Sequence, residues 1–329
     1  MNGLKPLWGW EGFLLAVLLI IMAVNTSLSY HFLTVGNQVN LFQLSVEKII
    51  VAVIMTLIII NGEIDLSVAS MMGLAACAFG WMFNNGVPAP LAIVLVLGIG
   101  ALGGLLNAVF VTRVGLPSLV VTLATLIGFR GIARILVEDR GIGGFPDWFN
   151  ALGQQALIGP FTLSLLLFVV IFIGFAILLH GSGFGRKVFV VGNNAAMAAY
   201  SGIDVASVKT RLFVASGVIS ALAGLLYAAR VGAVRGDAAN GFELDIITMV
   251  LLGGVSIFGG VGTLLGALLS ILIVLNLRNG MALADVTGHI QTGVIGLLLI
   301  LSVGIPNLKS TLGRHMARRT MREKTWPVP

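Results

Sequence analysis

The sequence predicts an all-α integral membrane protein with about ten transmembrane helices and with both termini in the cytoplasm. Apolar residues make up 58% of the 329 residues and charged residues only 10%, whereas soluble domains carry about a quarter charged residues. A transmembrane helix needs roughly 20 residues, so ten spans with short loops use nearly the whole chain. We therefore divide the chain into a membrane domain, residues 1–308, and a basic cytoplasmic tail, residues 309–329.

Hydropathy and loop-forming residues place the spans in order along the chain. They are predicted near 11–32, 44–61, 66–83, 89–112, 117–137, 161–180, 211–231, 246–258, 263–280 and 289–306. The 246–258 span is too short to cross a bilayer alone, which predicts a broken or re-entrant helix packed inside protein. Small-xxx-small pairs, Gly100/Gly104 and Gly262/Gly266, predict close contacts between helices.

The basic residues set the orientation. With ten crossings, both termini and most basic residues outside the spans fall on the same side of the membrane. These residues are Lys5, Arg113, Arg186, Lys187, Lys209, Arg211, Lys309, Arg314, Arg318, Arg319, Arg322 and Lys324. By the positive-inside rule this side is the cytoplasm. The net charge of +6 is thereby explained by topology and anionic lipid, and we predict no nucleic-acid partner. The loops 138–155 and 231–245 face outside, where they are available to a partner.

The chain lacks the motifs of an enzyme. It contains no H-E-x-x-H, no nucleophile elbow and no metal-spaced His and Cys, so we predict no catalytic residues and no metal site. "GIGALG" (98–103) matches a dinucleotide fingerprint, but it lies inside an apolar span and indicates helix packing. Without a P-loop, the chain needs no cofactor of its own, and any ATP must be bound by another subunit.

"INGEIDLSVAS" (60–70) places two carboxylates, Glu63 and Asp65, in a region without other charges between Lys48 and Arg113. Asp65 fits the N-cap of a helix starting near Leu66, and a capped break must line protein or water rather than lipid. Glu63 either lies at the cytoplasmic boundary, lines a polar path or pairs with an arginine such as Arg130. A second glycine-rich break lies at 259–263. Paired breaks of this kind, one in each half of the chain, suggest a transport route.

The longest polar stretch before the tail is "GRKVFVVGNNAAMAAYSGIDVASVKTR" (185–211). Within it Ala195–Ser201 favours a short helix, with Asn193 or Asn194 as the N-cap and Gly202 just past its end. This segment is either a plain connector between two spans or a docking site for a cytoplasmic partner.

Four segments resemble, in the right order, the landmarks of bacterial ABC importer permeases for monosaccharides. They are "GEIDLSVAS" (62–70), "PSLVVTLATLIGFRG" (117–131), "GRKVFVVGNNAAMAAYSGI" (185–203) and "FELDIITMVLLGGVSIFGGVGTLLGALL" (242–269). The resemblance implies a multi-pass subunit of the bacterial inner membrane. Its implied partners are a second permease, as homodimer or heterodimer, a cytoplasmic ATP-binding subunit and a periplasmic sugar-binding protein, with membrane lipid around it.

The resemblance also implies roles for individual residues. Within a cytoplasmic loop of about 181–211, it assigns ATPase coupling to Asn194, Ala195, Ala196, Met197, Ala198, Ala199, Tyr200, Ser201, Gly202 and Ile203. To the translocation path we assign Glu63, Asp65, Ser67, Thr122, Thr125 and Arg130. Family members commonly have the sequence Gly-Gly-Ile-Asp-Leu-Ser-Val-Gly-Ser at this place, so Glu63 and Ala69 each replace a glycine. The side chain of Glu63 argues against a close approach of another backbone at position 63.

"GEIDLSVAS" and "GIGGFPDWF" (141–149) are most similar to the rhamnose and autoinducer-2 members. The alternative from another class is an ion-coupled secondary transporter in which Glu63 and Asp65 bind the coupling ion. A channel or scaffold is a third alternative, although nothing resembles a repeated filter loop. The 185–211 segment and the ordered landmarks favour the ATP-driven importer.

Overall fold

A computed structural model describes residues 9–138, 140–301 and 304. The tail (309–329), Lys5 and the end of the last predicted span lie outside this part of the chain. Six helices within it are long and apolar enough to cross a membrane. They are α1 (Trp10–Leu28), α5 (Ala89–Thr112), α6 (Ser118–Val137), α8 (Leu163–Gly181), α11 (Val205–Val231) and α13 (Leu264–Leu283).

The remaining predicted spans are bent or short. Helices α2 (Val35–Gln43) and α3 (Val46–Ile60) form one pair with a 61° bend between them. Shorter apolar helices are α4 (Val68–Asn84) and α14 (Gly288–Leu301), and α12 (Phe242–Leu252) has 11 residues. At 1.5 Å per residue α12 spans only about 16 Å, which agrees with the predicted broken span. Each of the ten predicted spans thus contains one helix, but fewer than ten are full-length crossings.

Short elements cap the two ends of the helical body. Helices α9 (Gly183–Asn193) and α10 (Ala195–Tyr200) lie between α8 and α11, and α7 (Asp147–Gln154) follows α6. Four short strands occur in the described residues: β1 (Ile142–Gly143), β2 (Ala156–Ile158), β3 (Phe161–Thr162) and β4 (Ala233–Val234). β1 pairs antiparallel with β4, so the loops after α6 and after α11 meet on one side, as the predicted outer face requires.

Helix α3 is the centre of the fold. All 15 of its residues are buried, and it packs against α8, α11, α12 and α13. Helix α4 is buried from Val68 to Gly80 and packs against α5, α6 and α11. Small residues permit the close packing of α5 on α11, since a Cβ on Gly217 of α11 would lie 2.9 Å from the backbone nitrogen of Gly104 on α5. The small-residue prediction for Gly100 and Gly104 is therefore confirmed.

Candidate functional site

Asp65 lies in the break between α3 and α4 and is only 2% exposed. Its Oδ1 accepts hydrogen bonds from the backbone N–H of Ser67 at 3.0 Å and from the Ser67 hydroxyl at 2.6 Å. Its Oδ2 accepts from the hydroxyl of Ser216 on α11 at 2.8 Å. Asp65 therefore does satisfy a free backbone N–H at the start of α4, although regular helix begins at Val68 rather than near Leu66.

Ser67 continues this arrangement toward α5 and α6. The amide of Asn107 donates to the Ser67 hydroxyl at 2.9 Å, and the Thr125 hydroxyl donates to the Asn107 carbonyl oxygen at 2.9 Å. We call Asp65, Ser67, Asn107, Thr125 and Ser216 the polar network. All but Thr125 are buried, so the network is closed to solvent in this conformation and joins the break to three helices.

Thr122 lies beside the network and fixes the break through the backbone. Its hydroxyl donates to the Ser118 carbonyl at 2.8 Å and approaches the Ile64 carbonyl at 3.3 Å. The Ser118 hydroxyl in turn accepts from the backbone N–H of Ile64 at 3.2 Å. The structure thus brings four of the predicted path residues, Asp65, Ser67, Thr122 and Thr125, to one place.

Glu63 does not belong to this group. Its carboxylate forms an ion pair with Lys209 near the start of α11, and the two side chains are 12% and 19% exposed. Of the three alternatives for Glu63, pairing with Arg130 is therefore wrong, because its basic partner is Lys209. Close backbone approach occurs one residue earlier, at Gly62, whose Cα would lie 2.8 Å from a Cβ on Gly259. The Glu63 departure from the family pattern therefore leaves this backbone contact intact.

Arg130 lies farther along α6, toward the C-terminal end of that helix. Its guanidinium donates to the carbonyl oxygens of Ala238 and Ala239 in the loop that follows β4. Gly73 of α4 leaves the space for this contact, because a Cβ there would lie 2.9 Å from the Ala238 oxygen and 3.0 Å from the guanidinium. Arg130 thus anchors the loop between β4 and α12, and its role in the path stays a prediction.

The predicted short helix after Asn194 is present as α10. The Asn194 side chain accepts from the Met197 N–H at 3.0 Å and is the N-cap, while Asn193 ends α9. Gly202 has φ of 79°, the left-handed conformation that favours glycine after a helix. Met197 is 61% and Tyr200 is 89% exposed, whereas Ala198 is buried. Helix α10 therefore has one face packed against the rest of the protein, at Ala198, and one exposed face, at Met197 and Tyr200.

Four glycines, Gly62, Gly192, Gly259 and Gly260, connect this segment to both breaks, and we call them the glycine junction. The Gly260 N–H donates to the Ile60 carbonyl at 2.8 Å. A Cβ on Gly192 would overlap that same carbonyl oxygen, and a Cβ on Gly259 would lie 2.6 Å from the Gly192 oxygen. Backbone meets backbone here, so the C-terminal end of α9 contacts both breaks without intervening side chains, and α10 packs against α9.

A second charged group lies at the opposite ends of the helices, on the side predicted to face outside. Arg230 of α11 donates to Glu47 of α3 at 2.7 Å, and Asp245 of α12 accepts from Lys48 at 3.1 Å and from Arg278 at 2.5 Å. We call these five residues the ion cluster. Asp245 is 7% exposed, so this end of the predicted outer loop 231–245 is packed inside the protein rather than free for a partner.

Sequence reasoning missed several of these residues. Asn107 had a usable signal, because it is a lone amide in an apolar span and such groups usually face a partner. No pattern in the sequence distinguishes Ser216 or Lys209. Serine is common in spans, and a basic residue at a cytoplasmic helix end is expected in any case. Within residues 9–138, 140–301 and 304, no group of three or more His, Cys, Asp or Glu residues is arranged to hold a metal ion.

Comparison with known proteins identifies relatives over nearly the full length. Residues 37–303 match the family described as "Branched-chain amino acid transport system / permease component". The chain is 34% identical over 329 residues to the autoinducer 2 import system permease protein LsrD of Escherichia coli K12, covering 97% of this chain and 96% of the relative. It is 36% identical over 306 residues to LsrD of Yersinia enterocolitica, covering 90% and 91%. No solved structure matches the chain.

Proposed function

The chain belongs to the permease-component family of bacterial ABC importers, and from this premise we propose that it is the pore subunit of an ATP-driven importer for a monosaccharide or sugar-like small molecule. The family is one of multi-pass inner-membrane permeases and not of catalytic enzymes. The names of the two relatives favour a substrate of the autoinducer-2 type over rhamnose. ATP binding and hydrolysis belong to a separate subunit in this proposal.

The glycine junction is the observation that carries the proposal. A free helix face at Met197 and Tyr200 suits a cytoplasmic ATP-binding subunit. That helix, α10, packs against α9, and the junction joins the end of α9 to both breaks. Movement of α10 and the adjoining α9 when the ATPase closes would therefore displace both breaks together, because the backbone contacts of α9 leave no compliant side chains between it and the breaks. The Glu63–Lys209 ion pair adds a direct contact between the first break and α11.

The other proposed partners follow from the same family. A second permease completes the pore, and a periplasmic sugar-binding protein delivers substrate to the outer loops. The ion-coupled alternative gains no support from the site, since Glu63 pairs with Lys209 and the Asp65 oxygens accept from hydroxyls and a backbone N–H.

Uptake by cells that carry the complete transporter tests the proposal. Depleting ATP while holding the proton and sodium gradients should stop uptake of labelled autoinducer-2, and an uncoupler with ATP maintained should leave uptake unchanged. Parallel assays with rhamnose and ribose identify the substrate class. Uptake that persists without ATP and collapses with the uncoupler would instead establish ion coupling.

A further inference from the structure

The first turn of α1 contacts both ends of the segment that contains the second break. This segment joins α12 to α13 through residues 253–263, and we call it the α12–α13 loop. The Trp10 indole N–H donates to the carbonyl of Leu252, the last residue of α12, at 3.1 Å. The hydroxyl of Thr263, the N-cap of α13, donates to the Glu11 carboxylate at 2.9 Å. Two adjacent residues of α1 thus hold the end of one helix and the start of the next.

The indole ring of Trp10 also contacts the backbone at the start of this loop. Gly254 has φ of 84°, the left-handed region that glycine enters without steric cost. A Cβ on Gly254 would lie 2.7 Å from the indole nitrogen. The ring therefore lies directly against the loop backbone, in a contact that requires glycine at position 254.

Helix α1 is itself fixed to α13, so the two contacts come from a well-supported helix. Leu14 and Leu18 of α1 form a buried apolar cluster with Ile273 of α13. Farther along, the amide of Asn25 donates to the Asn276 carbonyl at 2.8 Å. Displacement of Trp10 and Glu11 relative to α13 would therefore require the whole helix pair to separate.

The composition of the α12–α13 loop explains why its ends need such support. Five of its residues are glycines, and four of them, Gly254, Gly259, Gly260 and Gly262, have positive φ. Glycine has more conformational freedom than any other residue, so a loop of this kind can absorb a displacement within itself. With both ends held by α1, a displacement at Gly259 and Gly260 reaches α12 and α13 instead.

We propose that Trp10 and Glu11 are positioning residues of the transport cycle. They hold the two ends of the α12–α13 loop, so that movement at the glycine junction is transmitted to α12 and α13. This role rests on the proposed function, because the movement is attributed there to the ATP-binding subunit. It gives the first turn of α1 a part in coupling that is separate from the docking of α10.

The complete transporter in proteoliposomes tests this role, with labelled autoinducer-2 uptake and ATP hydrolysis measured in the same sample. Trp10→Ala and Glu11→Ala should each lower the number of substrate molecules imported per ATP at least several-fold, while copurification with the ATP-binding subunit is unchanged. Glu11→Gln should restore the ratio, because its amide oxygen still accepts from the Thr263 hydroxyl. A normal ratio in both alanine variants would overturn the proposal.

The matched control is Asn25→Ala, which removes a hydrogen bond between α1 and α13 away from the loop. It should lower the unfolding temperature, because a buried carbonyl loses its side-chain donor, and it should leave the import ratio unchanged. An equal loss of the ratio in Asn25→Ala would overturn the proposal, since α1 would then act only by stabilising the helix pair.

Hydrogen exchange of the purified chain in detergent tests the positioning without any transport. The Gly254 N–H donates to the Leu251 carbonyl at 3.0 Å, and the Gly259 N–H donates to the Ser256 carbonyl at 2.9 Å, so loop amides report local opening. Exchange across 253–263 should accelerate at least several-fold in Trp10→Ala and remain unchanged in Asn25→Ala. Unchanged exchange in Trp10→Ala would overturn the proposal, whatever energy source drives uptake.

Failure of the proposed function would have a different result. Uptake by the unchanged transporter that needs no ATP would overturn ATP-driven import and, with it, the coupling role of the two residues. The exchange measurement would still decide whether Trp10 and Glu11 position the α12–α13 loop.

Discussion

The carboxylates of Glu63 and Asp65 are two residues apart, yet their charges are compensated by different means. Asp65 accepts three hydrogen bonds from neutral donors, whereas Glu63 forms an ion pair with the ammonium group of Lys209. An ionisable group within a membrane protein is costly unless it has partners. Asp65 therefore organises the break as a hydrogen-bond acceptor, and the substitutions that remove this capacity differ from those that remove only its charge.

Asp65→Asn should be mild, because its amide oxygen still accepts from Ser67 and the Ser216 hydroxyl can reverse to accept from the amide. Asp65→Leu leaves the Ser67 and Ser216 donors buried without an acceptor, at about 1–3 kcal/mol for each unsatisfied group. Thermal unfolding in detergent and substrate uptake measure the difference. Asp204→Leu is the control, because Asp204 is an exposed cap with one backbone hydrogen bond, worth about 1 kcal/mol.

Asp245 provides a second residue-level prediction. Asp245→Asn removes the charge that neutralises both Lys48 and Arg278 in a buried setting, and breaking a buried pair costs about 3–5 kcal/mol. The exposed Asp237 pairs with Arg235 at 3.6 Å, so Asp237→Asn should cost about 0–1 kcal/mol. Equal unfolding temperatures for the two variants would show that the ion cluster contributes no stability.

Among the helices, the elements with strong local signals were predictable and those set by distant contacts were not. The 246–258 span was recognised as too short, and the Asn194 cap and Gly202 end of α10 were placed from local chemistry. The bend between α2 and α3, helix α9 and the four strands were missed. Two-residue strands such as β1 and β4 form only because α6 and α11 bring their loops together, which no local pattern shows.

The same limit applies to the candidate site. Four of the predicted path residues converge, because they flank one break in the chain or lie on the helix beside it. The glycine junction was not predicted, although its second break was. Gly62, Gly192 and Gly259 are far apart in the sequence, and glycines occur throughout these spans. Their contact depends on how α3, α9 and the second break are positioned by the rest of the fold.

The junction predicts that a single methyl group at position 192 disturbs coupling. Gly192→Ala places a Cβ against the Ile60 carbonyl, so α9 must move away from the first break. We expect uptake to fall at least several-fold while the protein still inserts and still copurifies with the ATP-binding subunit. Gly174→Ala on α8 is the control, because its Cβ would meet no atom within 4 Å and alanine favours a helix. Similar uptake by both variants would contradict the role of the junction.

For the whole molecule, the testable property is its orientation. In a Cys77→Ser background, a cysteine at Trp148 should react with an impermeant thiol reagent added outside intact cells, because Trp148 is 46% exposed on the outer loop. A cysteine at the exposed Ala206 should react only after the membrane is opened. The reverse pattern would place α10 on the outer face and remove the basis for ATPase docking.

The complete burial of α3 affects how this protein is made. Arg230, the partner of Glu47, follows it by 183 residues, and Asp245, the partner of Lys48, follows by 197. At roughly 5–20 residues per second, the ribosome delivers these partners about 10–40 s after α3 emerges. During that interval α3 has entered the bilayer without α11, α12 and α13, and two charges await neutralisation. A nascent chain arrested before α11 would therefore be a substrate for membrane quality control, and the second half of the translation product completes the fold of the first.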